Sequence, residues 1–344
     1  MSVATGQDQV IAELRSADRL LLTTHENPDG DALGSLLSMH WILEQLGKDS
    51  LMFMSPDEFP LPWEYRAWTF EGIVGAPPED VAERTIVFLD CGNIDRMPVD
   101  FLQRDGLRIL NIDHHHDNTR FGTVNLVVPQ ASCTAEIVLG LAKELDAEIT
   151  APIADALYTG LVTDTGKFMY ENTSPEAHRM AAELIEAGVE PHEVHRRLYE
   201  DLPFRRLQLL ERALSSVERH DDGTITIAHL VKDDYEATGA LEQDSEGVVD
   251  HMRAVEGTAV AVLVRELLTA GREGLRKVSL RATDGRVDVS RIAREFGGGG
   301  HPQAAGFSTP LPFGDLVAKL RDLVGDQLRG ARGGGLGPHR SDSI

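Results

Sequence analysis

Apolar residues along this chain gather in short runs that end on carboxylates. Leu20-Leu21-Leu22 forms the middle of Arg19 to Thr24, a run that predicts a buried strand passing directly into His25. Pro28 and Gly30 force a turn behind it. From Ala32 to Leu46 the apolar positions recur at helical spacing until Gly47, so Asp29 and Asp31 stand where a helix begins. Thr85 to Leu89 is a second compact apolar run and stops at Asp90; Leu107 to Ile112 is a third and stops at Asp113. Helical patterns cover Gln9 to Ala17, Thr134 to Leu145, Pro152 to Val162 and Pro175 to Ala187, and Thr163-Asp164-Thr165-Gly166 follows the third of these. Strands alternating with helices predict an α/β fold, a mostly parallel sheet wrapped by helices, in which ligands bind beyond the carboxyl ends of the strands. The acids fall where that rule puts a ligand.

Residues 1–195 make up this first domain on the same reading, and 196–220 reads as a helical connector, because no strand pattern interrupts Pro191 to Val217 and only Pro203 breaks the helical spacing. The pattern changes at Asp221-Asp222-Gly223. Thr224 to Leu230, Thr258 to Val264 and Lys277 to Ala282 alternate or run apolar as strands, separated by helical stretches, which predicts a smaller α/β domain with a mixed sheet over 221–329. A helix over Ser290 to Phe296 precedes Gly297 to Gly300 and His301-Pro302, which read as a tight loop. The glycine-rich stretch from Gly330 makes 330–344 a flexible tail.

Length and composition agree with two globular domains: 344 residues, 42% hydrophobic. The apolar runs fall far short of the roughly 18 residues that span a bilayer, and no basic stretch leads into an apolar core, which predicts a cytoplasmic protein with no membrane partner. Cys91 and Cys133 are too few for a disulfide framework and lack the clustering of a zinc site. The formal net charge of -23 argues against long nucleic acid as a partner, because that affinity comes from Lys and Arg neutralising phosphates. A short anionic substrate is still admissible where bound metals and a local basic patch reverse the field within one cleft.

Each acid also has an ordinary reading. Asp29 and Asp31 suit turn and helix-cap positions, Asp90 could cap the helix that follows, and Asp164 could fill an Asx-turn. Capping, however, has no use for His25 or for the three histidines after Asp113. Carboxylates drawn together in low dielectric repel one another and have raised pKa values, and divalent ions would cancel that charge. Carboxylate oxygen mixed with imidazole and no thiolate suits Mn²⁺, with Mg²⁺ or Co²⁺ as substitutes.

His25-x-x-x-Asp29-x-Asp31, Leu89-Asp90, Asp113-His114-His115 and Thr163-Asp164-Thr165-Gly166, in that order, resemble the DHH phosphoesterase family. Val278-Ser-Leu-Arg281 and Phe296-Gly-Gly-Gly-Gly-His301-Pro-Gln-Ala-Ala-Gly-Phe307 resemble the DHH-associated C-terminal domain. The contexts Asn118-Thr-Arg-Phe-Gly122 and Asn172-Thr-Ser-Pro175 resemble the nanoRNase and pAp phosphatase branch. The resemblance implies two metal ions, one on His25, Asp29 and Asp90, the other on Asp31, Asp90, His114 and Asp164, with Asp90 bridging. It implies that Asp113 orients a neighbouring histidine and that His115 faces substrate phosphate. Arg281, Gly298, Gly299, Gly300 and His301 would grip a phosphate or terminal nucleotide. The implied activity is hydrolysis of short oligoribonucleotides such as pApA to 5'-mononucleotides and removal of the 3'-phosphate of pAp, with cyclic di-AMP as a further substrate. Rival readings are a pyrophosphatase or exopolyphosphatase, a RecJ-like single-strand exonuclease, and a nonenzymatic nucleotide sensor. Helical and apolar surface would also allow a homodimer.

Overall fold

The computed structural model describes residues 6–333 apart from 98, 105, 201, 270 and 284. Two compact units divide between residues 201 and 202. Among the described residues the first contains six strands, β1 (Arg19–Thr23), β2 (Asp49–Phe53), β3 (Ile73–Val74), β4 (Thr85–Leu89), β5 (Ile109–Asp113) and β6 (Val124–Val127). All pair in parallel, in the order β3-β2-β1-β4-β5-β6. Six α-helices accompany them among the described residues: α1 (Gly6–Ser16), α2 (Gly30–Gln45), α3 (Thr134–Glu144), α4 (Ala151–Asp164), α5 (Pro175–Glu186) and α6 (Pro191–Tyr199).

Strands buried on both faces read as continuous apolar runs, which is why β1, β4 and β5 stand out in the sequence. Leu20, Leu22, Val87, Leu89, Leu110 and Ile112 point into one core with the helices. Leu21, Ile86 and Phe88 point the other way and meet Met97, Phe101 and Leu102 from the segment after β4. At the amino end of the sheet, the buried Arg84 guanidinium, just before β4, ties β1 and β2 together. Its Nη1 donates to the Leu20 carbonyl at 3.1 Å, Nη2 to Asp49 Oδ2 at 2.8 Å and Nε to Asp80 Oδ1 at 2.8 Å.

Small residues let α2 and α4 approach closely. A Cβ on Gly34 would collide with the Ala156 carbonyl oxygen, one on Gly30 would reach 2.5 Å from Thr163 Oγ1, and one on Gly160 would come within 2.9 Å of Asp31 Oδ1. This crossing carries Asp31 towards the end of α4, where Asp164 is the last helical residue.

The second unit contains α7 (Phe204–Ser215), β7 (Glu218–His220), β8 (Ile225–Leu230), α8 (Lys232–Thr238), α9 (Val248–Arg253), β9 (Val260–Glu266), β10 (Arg276–Ala282), α10 (Val289–Arg294), β11 (Gly299–Gly300), β12 (Ala304–Thr309) and α11 (Phe313–Gly333). Its sheet, β11-β12-β10-β9-β8-β7, is mixed: β8 and β9 are parallel and every other pair is antiparallel. Val260, Val262, Val264, Val278 and Leu280 face α10 and α11. Ala261 and Leu263 face Leu209 and Ala213 of α7 and Val249 and Met252 of α9.

Three expectations change here. Residues 196–220 are not a connector: Val194 and Leu198 bury α6 in the first unit's core, Leu209 and Ala213 bury α7 in the second's, and 218–220 is an edge strand. Each helix carries a narrow apolar face, and β7 reads Glu-Arg-His, so neither attachment leaves a strand-like signal. The glycine stretch is not wholly a loop, since Gly299 and Gly300 pair with Gly306 and Ala305 of β12. The expected tail starts too early, because Gly330 to Gly333 continue α11, and 334–344 lies outside the described residues.

The α2–α4 approach makes a paired prediction. Gly34→Val should destabilise the protein by about 1–3 kcal/mol or more through overpacking. Gly140→Ala within α3, where an added Cβ meets nothing within 4 Å, should stabilise it by about 0.5–1 kcal/mol. Denaturant unfolding midpoints measure both.

Candidate metal centre

The strand order turns back between β1 and β4, with β2 and β3 on one side and β5 and β6 on the other. Loops leaving adjacent strands on either side of such a point diverge and open a crevice at their carboxyl ends. The loop after β1 carries His25 and Asp29, and Asp31 opens the α2 that follows; Asp90 follows β4; Asp113 ends β5, with His114 and His115 directly after it. Asp90 takes a left-handed conformation, φ 56°, which Asp tolerates better than most residues.

These groups meet. His25 Nε2 lies 3.5 Å from Asp90 Oδ2; His114 Nε2 lies 3.6 Å from Asp90 Oδ1, 3.7 Å from Asp164 Oδ2 and 4.0 Å from Asp31 Oδ2. Donor atoms of His25, Asp29 and Asp90 lie within 4.8 Å of one another, and so do those of Asp31, His114 and Asp164, and those of Asp90, Asp113 and His115. Ligands held about 2.0–2.2 Å from one ion stand roughly 3–4.4 Å apart, depending on the angle between them. The observed separations fit that range and are mostly too long for hydrogen bonds.

The histidine partners add a second test. His25 Nδ1 faces the Glu26 carbonyl at 2.8 Å, and a carbonyl only accepts, so Nδ1 carries the proton. Nε2 faces the Asp90 carboxylate: a charged ring donates to it there, and a neutral ring offers a lone pair that, with the carboxylate, a cation between them would satisfy. Asp29 does cap α2, its Oδ1 accepting from the Asp31 and Ala32 amides at 3.1 and 3.0 Å, yet it remains exposed beside His25 and Asp90. Asp31, by contrast, is buried and caps α3: Oδ2 accepts from Thr134 N at 2.6 Å and Oδ1 from Ala135 N at 2.9 Å. The Asp113 carboxylate supports His115, with Oδ1 at 2.7 Å from Nδ1, and is itself bound through Oδ2 by Asn118 Nδ2 at 2.5 Å.

Burial sets the electrostatics. It pushes Asp31 well above the usual carboxylate range, aided by Asp90 and Asp164, and it pushes Asp164 up to about 7. Burial works the same way on Asp90, but His25, His115 and His114 outweigh it and hold that carboxyl well below its usual value. His114 loses charge stability through burial and regains more from Asp164, Asp90 and Asp31, which raise it to about 9. Burial pushes the Cys91 thiol up to about 12 and Cys133 well above its usual value, so neither offers a thiolate. The donor set is oxygen and imidazole.

Arg281 and the glycines belong to the second unit. Arg281, on β10, pairs through Nε with Asp250 Oδ1 at 3.3 Å and stands opposite Ala304 of β12. His301 opens the turn between β11 and β12, its amide donating to the Ala304 carbonyl at 2.8 Å. Gly298 and Gly300 are required by the fold: a Cβ on Gly298 would collide with Gly306 and Phe307, and Gly300 has φ 131° with Ala305 Cα 2.6 Å from the position of a Cβ. Above Gly299 the space is open.

Sequence reasoning missed the groups that hold the ligands. Thr134 Oγ1 donates to Asp90 Oδ1 at 2.9 Å, and Asn172 Nδ2 donates to Asp164 Oδ2 at 3.1 Å. Thr134 sits in Ser-Cys-Thr at the start of a helical pattern, where a hydroxyl reads as a cap. Asn118 and Asn172 entered the sequence reading only through contexts that resemble one branch of the family, with no supporting role attached.

Residues 19–161 match the DHH family, N-terminal domain, and 226–330 the DHHA1 domain. The chain is 38% identical over 330 residues to the bifunctional oligoribonuclease and PAP phosphatase NrnA of Thermus thermophilus, covering 93% of this chain and 94% of that protein. It is 26% identical over 309 residues to the protein of the same name from Bacillus subtilis, covering 87% and 92%. An exopolyphosphatase-related protein from Bacteroides fragilis has a similar structure, with a TM-score of 0.82 and 24% identity over 95% of this chain and 97% of that one. RecJ of Thermus thermophilus in complex with Mn²⁺ has a TM-score of 0.55 and 15% identity, covering 94% of this chain and 55% of that one. At these identities the two structures speak to the fold alone.

The protonated groups predict how metal affinity depends on pH. Asp164 near 7 and His114 near 9 must both lose a proton before they can ligate. Mn²⁺ binding should therefore tighten as pH rises from 6 to 8, by up to about tenfold per pH unit for each such group, with proton release. Calorimetric titration in buffers of different ionisation enthalpy checks this; flat affinity with no released proton would contradict the assignment.

Proposed function

The chain belongs to the DHH family, and from that premise we propose that it is a divalent-metal-dependent phosphoric-ester hydrolase. It releases 5'-mononucleotides from very short oligoribonucleotides such as pApA and removes the 3'-phosphate of pAp. One observation carries this reading: His25, Asp29, Asp31, Asp90, His114 and Asp164 converge at the carboxyl end of a parallel sheet, in a chain 38% identical to a protein named for both activities.

His25, Asp29 and Asp90 would hold one ion, and Asp31, Asp90, His114 and Asp164 a second, with Asp90 common to both. Two Mn²⁺ per chain are proposed, Mg²⁺ or Co²⁺ being substitutes of the same coordination preference. Such ions, when bound, activate water and offset the charge that builds on the phosphoryl group. The protein's own contribution begins with His115. Asp113 holds its Nδ1, which fixes the tautomer and directs Nε2 at a substrate phosphate oxygen. In the second unit, Arg281 keeps guanidinium N–H groups for an anion beyond its bonds to Asp250 and the Leu280 carbonyl, and with His301 and the backbone of Gly298, Gly299 and Gly300 it would grip a phosphate or terminal nucleotide.

Base recognition separates this reading from a pyrophosphatase or exopolyphosphatase with the same metal chemistry. The net charge of -23 weighs against a RecJ-like exonuclease, since an extended single strand needs an electropositive channel. A full ligand set weighs against a nonenzymatic sensor. Cyclic di-AMP is a secondary candidate substrate. We place the protein in the cytoplasm; no helix among the described residues is long and apolar enough to cross a membrane. A homodimer is also proposed, since α7 exposes Phe204, Leu207 and Leu214, and light scattering of the purified protein tests it.

With Mn²⁺, the purified protein should convert pApA and pAp to AMP faster than it hydrolyses pyrophosphate or long RNA, and EDTA should stop both reactions. Asp90→Ala should lose several kcal/mol of transition-state stabilisation, about a thousandfold or more in rate. Rapid pyrophosphate release with inert dinucleotides would reverse the substrate assignment, and binding without product would favour the sensor.

A further inference from the structure

The joint between α4 and α5 is built around one asparagine. After Asp164 and Thr165, the residues Gly166, Lys167 and Phe168 all have left-handed backbone, φ 56°, 63° and 63°. Left-handed residues in succession fold the chain back on itself: Lys167 N donates to the Val162 carbonyl at 2.8 Å, and the Met169 and Tyr170 amides both donate to the Thr165 carbonyl at 3.0 Å. A Cβ on Gly166 would fall into the Tyr170 ring, so the reversal needs glycine there. Lys167 and Phe168 hold a conformation that costs L residues energy, and strain of this kind persists only where surrounding contacts enforce it.

The reversal brings Asn172 back onto Asp164. Its Nδ2 lies 3.1 Å from Asp164 Oδ2, 3.1 Å from the Asp164 carbonyl and 2.8 Å from the Ser132 carbonyl. All three are acceptors, so the amide orientation is fixed; turned over, its own oxygen would face three oxygens. That orientation is kept even though Asn172 Oδ1 is buried without a hydrogen-bond partner among the described residues, an unfavourable state for a polar atom. Ser132 Oγ answers by donating to the Asn172 carbonyl at 2.7 Å. Two residues beyond Ser132 stands Thr134, whose amide binds Asp31. A single side chain thus ties the Asp164 carboxylate to the loop that fixes Asp31, and these two acids share a cluster with His114.

We propose that Asn172 is a positioning residue that aims Asp164 at the second ion and so sets the affinity of that ion alone. The inference rests on the two-ion reading given under Proposed function. An Asn172 that serves only to brace the loop would affect folding stability and leave both ions bound as before.

Mn²⁺ stoichiometry and affinity, read by calorimetry and electron paramagnetic resonance on the full chain, decide between the two. Asn172→Ala should keep one Mn²⁺ at unaltered affinity and bind the other about 10- to 100-fold more weakly. Excess Mn²⁺ should restore kcat on pAp with little change in KM. Asn172→Asp, which preserves the volume, should weaken the same ion at least as much, since an acceptor would then face three acceptors; it also serves where the alanine variant fails to fold. Two Mn²⁺ bound as tightly by the variants as by the unaltered protein, or both ions weakened alike with a lowered thermal midpoint, would overturn the inference alone. Failure of the unaltered protein to bind a second Mn²⁺ would overturn the two-ion reading and this inference with it.

Discussion

Repulsion among carboxylates is the constraint around which the first unit is organised. Asp31, Asp90 and Asp113 converge where little water reaches them, with Asp164 half-buried beside them, and in low dielectric such a group resists ionising. The protein answers with three compensations of different range. Imidazoles of His25, His114 and His115 act on Asp90 at 3.5–3.6 Å. Backbone amides at the start of α3 act on Asp31 and add the partial positive charge of a helix N-terminus. Single side-chain donors, Thr134, Asn118 and Asn172, act on Asp90, Asp113 and Asp164. Asp31 and Asp164 are nonetheless raised, so the compensation is incomplete without further positive charge.

An assembly under that tension needs stiff supports, and the fold provides them at both ends of the strands and in the helices packed on them. Five-residue strands with almost no exposed position set the spacing of His25, Asp90 and Asp113 at their carboxyl ends. At the opposite end Arg84 bonds to carbonyl and carboxylate groups of β1 and β2, so the strands whose carboxyl ends frame the crevice are also bound together at their starts. Glycines at 30, 34 and 160 let two helices approach closely, which places Asp31 beside the end of α4. Each device is a packing choice, and together they decide the geometry of the acids.

Much of this was legible in the sequence because a doubly buried parallel strand and a strand-end carboxylate both leave a local mark. Leu20 to Leu22 followed by His25, Phe88-Leu89 followed by Asp90, and Ile112 followed by Asp113 announce strand, direction and site in a few residues. What was not legible is what depends on partners distant in sequence. Strand β6, reading Val-Asn-Leu-Val, has only four residues, and β3 has two; pairing with neighbours defines them. Helix α7 looks like a spacer until Leu209 and Ala213 are seen against β8 and β9. Thr134 and Asn172 are polar residues of common type, and their bonds to Asp90 and Asp164 span 44 and 8 positions. No periodicity encodes such a bond.

The glycine stretch shows how a motif can carry two meanings that only coordinates separate. Read as sequence, Gly297 to Gly300 offers four equivalent places for a phosphate to approach backbone. In the fold they are not equivalent. Gly298 and Gly300 lie so close to β12 that a methyl group would strike it, and Gly297 turns the chain with φ 77° at the end of α10. Gly299 alone combines an ordinary backbone conformation with open space above it. A strand can pair through Gly299 with any residue, so its lack of a side chain serves nothing within the second unit. The need for glycine at 298 and 300 is explained by packing, and the case for a backbone–phosphate approach therefore concentrates on one position of the four.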